Sequence, residues 1–331
     1  MSCQPIIKGV LWSLGQSIFD CDCHSMSADQ WRREFNDMKR IGLEKMLLFS
    51  GVPKASERSY AASPDIVGFI ADNCAENAIE LFLTIGDNPQ WDMRKTLKES
   101  LQRAHGFLCG LRERYEGHPA VKGWYIPYEF CLPFEDEGPV FKEFYKAMVE
   151  MCKEATPQMP VLISPFFNPP TSPELMGYGN HSAEEYYDFW SDLISACHFD
   201  ILSLQDTGGQ HFSFFGPETT EPYIAAYARA CKENNCRFWG NVETGEFHIE
   251  SAAAFAEKCG VHSHVNDANL KSYWRPVPIE RLKTKLNVIS KYSELNLSWG
   301  YQPFYRPSLG GRCEKAYMDY AKYIEKKEWK A

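Results

Sequence analysis

Two glutamates hold the chemistry that this sequence makes visible. Glu129 closes the stretch Gly123-Trp-Tyr-Ile-Pro-Tyr-Glu129-Phe130, and Glu243 closes Asn241-Val-Glu243. The first stretch is aromatic and β-branched, with no charge before Glu129, so it reads as a buried strand. A carboxylate set among aromatic side chains loses hydration and drifts toward a raised pKa, which is what a general acid needs. A second carboxylate that stays ionised would complete the minimum equipment for cleaving a glycosidic bond. One group then protonates the leaving oxygen while the other attacks the sugar or positions water. Glu246, three residues beyond Glu243, is the alternative second carboxylate.

Around this pair the sequence offers the side chains a sugar would touch. Trp12, Trp91, Tyr128, Trp299 and Tyr301 could lie against the apolar faces of sugar rings, while Asn168, Gln205, Asp206, Asn241 and Glu246 could address hydroxyls. Gln205 and Asp206 are neighbours on one strand, so only one of them can face a given side while the strand stays regular.

The elements that must position these residues alternate between strand and helix. Strand patterns begin at Ile6, Lys45, Ile79, Gly123, Pro160, Asp200, Cys236 and Leu297, each followed by a helical pattern. Capping boxes at Ser27/Gln30 and Ser182/Glu185 open two helices, and Pro64 and Glu221-Pro222 are expected to open two more. Eight such units imply right-handed crossovers, a parallel sheet and a closed (β/α)₈ barrel in one domain spanning residues 1–331. An insertion at residues 247–278, between strand seven and helix seven, is expected to act as a lid. An open doubly wound sheet competes, but the first strand is followed by no glycine-rich nucleotide fingerprint. In a barrel all C-terminal strand ends converge on one face, which brings Glu129 (strand four) and Glu243 (strand seven) together.

The motifs Tyr-Ile-Pro-Tyr-Glu129 and Trp-Gly-Asn-Val-Glu243, at the ends of strands four and seven, resemble those of the 4/7 clan of retaining glycosidases. The chain also resembles a bacterial TIM-barrel family of unknown function related to glycoside hydrolases, over nearly its whole length, with Gly-Trp-Tyr-Ile-Pro-x-Glu as the shared signature. The resemblance implies a retaining hydrolase of small or oligomeric carbohydrates, with Glu129 as acid/base and Glu243 as nucleophile. Where that clan places Asn before the acid/base, this chain has Tyr128, so another residue must address the neighbouring sugar hydroxyl. A non-catalytic carbohydrate-binding barrel and an α-fucosidase-like hydrolase with Asp206 as nucleophile are the alternatives.

Composition excludes other classes. Among 331 residues the formal net charge is −9, and no Lys/Arg block offers a nucleic-acid surface. No apolar run approaches the roughly 20 residues of a membrane helix. The start lacks a secretory signal, so a cytoplasmic protein is expected, or a periplasmic or secreted one if a leader has been removed. Twelve scattered cysteines suit a reducing compartment. Cys21-x-Cys23-His24 and His262-x-His264 have poor spacing for zinc, so neither metal nor cofactor is expected.

Overall fold

The computed structural model describes residues 3–14, 23–49, 59–86, 93–130, 132, 138–169, 181–207, 213–260 and 267–327. Eight parallel strands close into a barrel: β1 (Gly9–Ser13), β2 (Lys45–Phe49), β3 (Glu80–Thr84), β4 (Val121–Ile126), β5 (Val161–Ile163), β6 (Ile201–Gln205), β7 (Arg237–Asn241) and β10 (Leu295–Ser298). The order around the barrel is β1-β10-β7-β6-β5-β4-β3-β2, which is the expected (β/α)₈ topology with β10 as its eighth strand. Between β7 and β10 a separate antiparallel ribbon is formed by β8 (Gly245–Phe247) and β9 (Trp274–Pro276).

One side chain from each barrel strand builds the interior: Leu11, Leu47, Phe82, Tyr125, Leu162, Ile201, Trp239 and Leu297. Because side chains alternate along a strand, this layer fixes which residues point inward and which point toward the helices. Gly123 is inward and small for a reason. A Cβ there would come within 2.3 Å of the Phe82 ring, which crosses the space that the glycine leaves open. Below the layer Lys45 and Glu80, both inward, pair at 2.6 Å and help fill the N-terminal end.

The helices α1 (Ala28–Arg40), α2 (Ile66–Glu76), α3 (Met93–Tyr115), α4 (Gly138–Ala155), α5 (Ala183–Cys197), α6 (Pro217–Glu233), α7 (Ala252–Cys259), α8 (Ile279–Ile289) and α9 (Gly311–Glu325) follow in chain order among the described residues. Both capping boxes form. Two helix starts differ from expectation. Asp65, not Ser63-Pro64, caps α2, because its carboxylate accepts the Gly68 N–H at 3.0 Å. Helix α6 begins at Pro217 behind Gly216, which leaves Pro222 inside it, where its missing N–H removes one ladder bond, the one to the Glu218 carbonyl. Trp31, Phe35 and Met38 on α1, and Tyr186 and Trp190 on α5, are buried against the barrel, as their helical spacing requires. All ten described cysteines are free thiols, and no described helix is long and apolar enough to cross a membrane.

The insertion after β7 packs tightly where it is described. Phe247 stacks on Tyr273 at 5.2 Å, and Trp274 stacks on Phe304 at 5.8 Å while meeting Trp299 edge-on at 6.0 Å. The ribbon therefore buttresses the end of β10. Cys21, His262 and His264 lie outside the described residues.

Candidate active site

Counting upward from the interior layer in steps of two gives the lining of the C-terminal mouth. From β2 comes Phe49, from the end of β4 Glu129, after β5 Ser164, from β6 Gln205, from β7 Asn241 and then Glu243, and after β10 Trp299. Phe49, Glu129 and Trp299 keep partial access to solvent, whereas Gln205, Asn241 and Glu243 are buried.

Glu129 accepts a hydrogen bond from the Tyr125 hydroxyl at 3.2 Å. Burial is the largest influence on its carboxyl and lifts it to about 7; hydrogen bonds from Tyr125 and Gln205 oppose the rise, and the nearby charge of Glu243 adds to it. Tyr125 stays a donor, since burial and then the Glu129 charge push its phenol well above the ordinary range. The site thus has one carboxyl that titrates near neutrality, with a second glutamate close enough for its charge to be felt.

A hydrogen-bonded chain runs behind these groups. Gln205 donates to the Ser164 carbonyl at 2.9 Å, and the Ser164 hydroxyl accepts from Asn241 Nδ2 at 3.0 Å while donating to the Ser203 carbonyl at 2.8 Å. Asn241 Oδ1 in turn accepts the Trp299 N–H at 2.7 Å. Glu129 is thereby linked through β5, β6 and β7 to the main-chain N–H of Trp299 at the opposite rim. Phe49 lies 5.8 Å from the Tyr125 ring and forms part of the floor.

Several expected sugar contacts are placed elsewhere. Trp12 and Tyr128 occupy outward positions, and Tyr301 is turned away from the mouth by the left-handed Gly300, with φ 96°; all three are buried between barrel and helices: Trp12 against Trp31 at 5.0 Å, Tyr301 against Trp12 at 6.4 Å, Tyr128 against Phe144 at 4.4 Å. Asp206, the neighbour of inward Gln205, likewise points out and pairs with Lys285 at 3.2 Å, so it cannot serve as a nucleophile in the mouth. Glu246 is buried and held by two guanidinium groups, Arg275 at 2.6 Å and Arg281 at 2.9 Å. So clamped, it belongs to the ribbon, whereas Glu243 keeps the parity of Trp239 and Asn241 and its charge reaches Glu129. Asn241 spends both ends of its amide on Ser164 and Trp299, so it positions rather than binds. Asn168 is buried beside α5, its N–H donating to Tyr186 at 3.0 Å, and its amide oxygen has no partner among the described residues. Trp91 lies outside the described residues. Gln205 and Trp299 remain at the mouth beside the carboxyls.

Sequence reasoning missed Phe49, Tyr125, Ser164 and Lys285. The period of two marks the first three once Leu47, Gly123 and Leu162 are known to face inward. Lys285 lies on a helix with an ordinary amphipathic pattern and gave no signal.

With this geometry in hand, comparison with known proteins adds the family and the fold. Residues 7–309 match a domain of unknown function, DUF4434, and the chain belongs to that family. No curated protein matches in sequence. Among solved structures, a protein from Bacteroides thetaiotaomicron provisionally named an α-L-fucosidase superposes with a TM-score of 0.72 at 16% identity, covering 97% of this chain and 93% of that one. An endo-β-1,4-mannanase from Thermotoga petrophila gives 0.52 at 11% identity, over 97% of this chain and 77% of that one. An intracellular xylanase from Thermoanaerobacterium saccharolyticum gives 0.50 at 11% identity, over 88% and 85%. At these identities the likeness is one of fold: the (β/α)₈ barrel is shared with all three structures.

Proposed function

We propose that this protein is a glycoside hydrolase acting with retention, Glu129 serving as acid/base and Glu243 as nucleophile. The observation that carries the reading is a carboxyl lifted by burial to about 7, facing a barrel mouth where the charge of a second glutamate is felt. In the first step Glu129 gives its proton to the glycosidic oxygen as Glu243 attacks the anomeric carbon and the leaving alcohol departs. In the second step Glu129, now ionised, takes a proton from water, which displaces the sugar from Glu243. Tyr125 and Gln205 hold the ionised form of Glu129 between the steps. Trp299 and Phe49 supply the apolar walls a sugar ring packs against, and the ribbon braces Trp299 from behind.

The test is a panel of nitrophenyl glycosides with parent, E129Q and E243Q. Turnover by the parent and its loss in both variants is expected, with E129Q least impaired on substrates whose leaving group needs no proton. Proton NMR of the first-formed product should show the anomeric configuration of the substrate. A parent that binds sugars but cleaves none of the panel would favour a carbohydrate-binding barrel instead. Parental turnover in E129Q on an unactivated glycoside would refute the assignment of the acid.

A further inference from the structure

We infer that Asp206 and Lys285 form a positioning clamp on the peptide of Glu243, applied from outside the barrel; the inference rests on the reading of Glu243 as nucleophile. Asp206 Oδ1 accepts the Glu243 N–H at 3.2 Å, and Lys285 Nζ on α8 donates to the Glu243 carbonyl at 2.5 Å. The two side chains pair with each other at 3.2 Å and are almost fully buried, 5% and 10% exposed. One ion pair therefore holds both polar ends of a single residue's backbone.

The need for such a device follows from where the sheet ends. Up to Asn241 the β7 backbone is tied to β6, its carbonyl accepting the Asp206 N–H at 3.1 Å. On the other side Val242 and Thr244 continue to bond β10, through the Leu297 and Trp299 carbonyls, each at 2.9 Å. On the β6 side the chain turns away at once: Thr207 takes a left-handed φ of 55°, and its hydroxyl covers the Asp206 carbonyl at 2.9 Å. The Asp206 side chain then supplies the acceptor that the departing backbone cannot. A buried ion pair is a weak source of stability, because an apolar pair of similar volume often serves as well. An apolar pair could not hold an N–H and a C=O in place. A misplacement of about 1 Å at a reacting group can cost on the order of a hundredfold in rate. The clamp thus acts through Glu243 without touching the substrate.

The experiment compares parent, D206A, D206N, K285M and E243Q on the nitrophenyl glycoside that the parent cleaves fastest, with rates normalised to folded protein. D206A is expected to lose roughly 10- to 100-fold in kcat with KM within about twofold. D206N, which keeps an oxygen acceptor for the Glu243 N–H, should recover at least about tenfold of that loss, and K285M should lower kcat about tenfold. Hydrogen exchange of the peptide carrying Glu243 should quicken in D206A and return toward the parental rate in D206N. Should D206A fail to fold, D206N and K285M decide the matter by the same kcat and KM readings. Parental kcat in D206A or K285M while E243Q is inactive would overturn the clamp and leave the proposed function standing. Parental turnover in E243Q would instead overturn the proposed function, and the clamp's catalytic role with it.

Discussion

At the scale of single residues, the difference between Glu129, Glu243 and Glu246 comes from what each carboxylate meets. Glu246 meets two arginines, whose charges satisfy it and hold it in the ribbon. Glu129 meets a phenol, an amide and another carboxylate, and no described ion pair neutralises it, so burial dominates and its pKa climbs to about 7. In the proposed role of general acid Glu129 must be protonated for turnover, so kcat/KM should fall as pH rises through about 7. E129Q should remove this alkaline limb on substrates with good leaving groups, while on poor leaving groups its rate should drop about 10²- to 10⁴-fold. Loss of Tyr125 acts on the same equilibrium in a predictable direction. Tyr125 lowers the Glu129 pKa by donating to the ionised form, so Tyr125→Phe should move the alkaline limb to higher pH. A pH profile of kcat/KM for the two enzymes measures this, and an unmoved or lowered limb would contradict the hydrogen bond's role.

At the scale of elements, the barrel's alternation decided which sequence expectations survived. Strand ends nominate residues for the mouth, but parity then sends every second one into the layer beneath the helices, and Trp12, Tyr128 and Asp206 went there; Tyr301 shares the parity of Leu297 and Trp299 and is carried outward instead by the left-handed turn at Gly300, with φ 96°. Parity was legible in principle; what hid it was that fully buried parallel strands are apolar on both faces, so composition does not mark the inside. The β4 strand shows how tightly that inside is fitted. At Gly123 an added Cβ would lie 2.3 Å from the Phe82 ring and 2.9 Å from the Pro160 carbonyl. Gly123→Val should therefore destabilise the fold by about 1–3 kcal/mol through overpacking. Adding Phe82→Leu makes room on one side only, so the double variant should recover part of the loss and show coupling of at least about 0.5 kcal/mol in a double-mutant cycle. Strict additivity in urea unfolding would mean that the two side chains do not compete for the same space.

At the scale of the whole molecule, the sequence carried the architecture well because eight repeats of one pattern reinforce one another, and the barrel closes as expected. It carried the site less completely, since the Glu129–Gln205–Ser164–Asn241–Trp299 chain joins five separate strands or strand ends through contacts that only closure brings together. The same closure ties the chemistry to the stability of the fold. Glu129 stands at 4.5 in an unstructured chain and at about 7 when folded, so between these values the unfolded protein releases a proton that the folded protein keeps. Stability must then fall as pH rises through that window and level off beyond it. The shift corresponds to at most about 3 kcal/mol at 1.36 kcal/mol per unit. E129Q has no proton to release, so its stability relative to the parent should improve by about 2–3 kcal/mol from pH 5 to pH 8. Urea unfolding of both proteins at the two pH values measures the difference. A gap that does not widen with pH would mean that the carboxyl is solvated in the folded barrel, and the general-acid assignment would lose its physical basis.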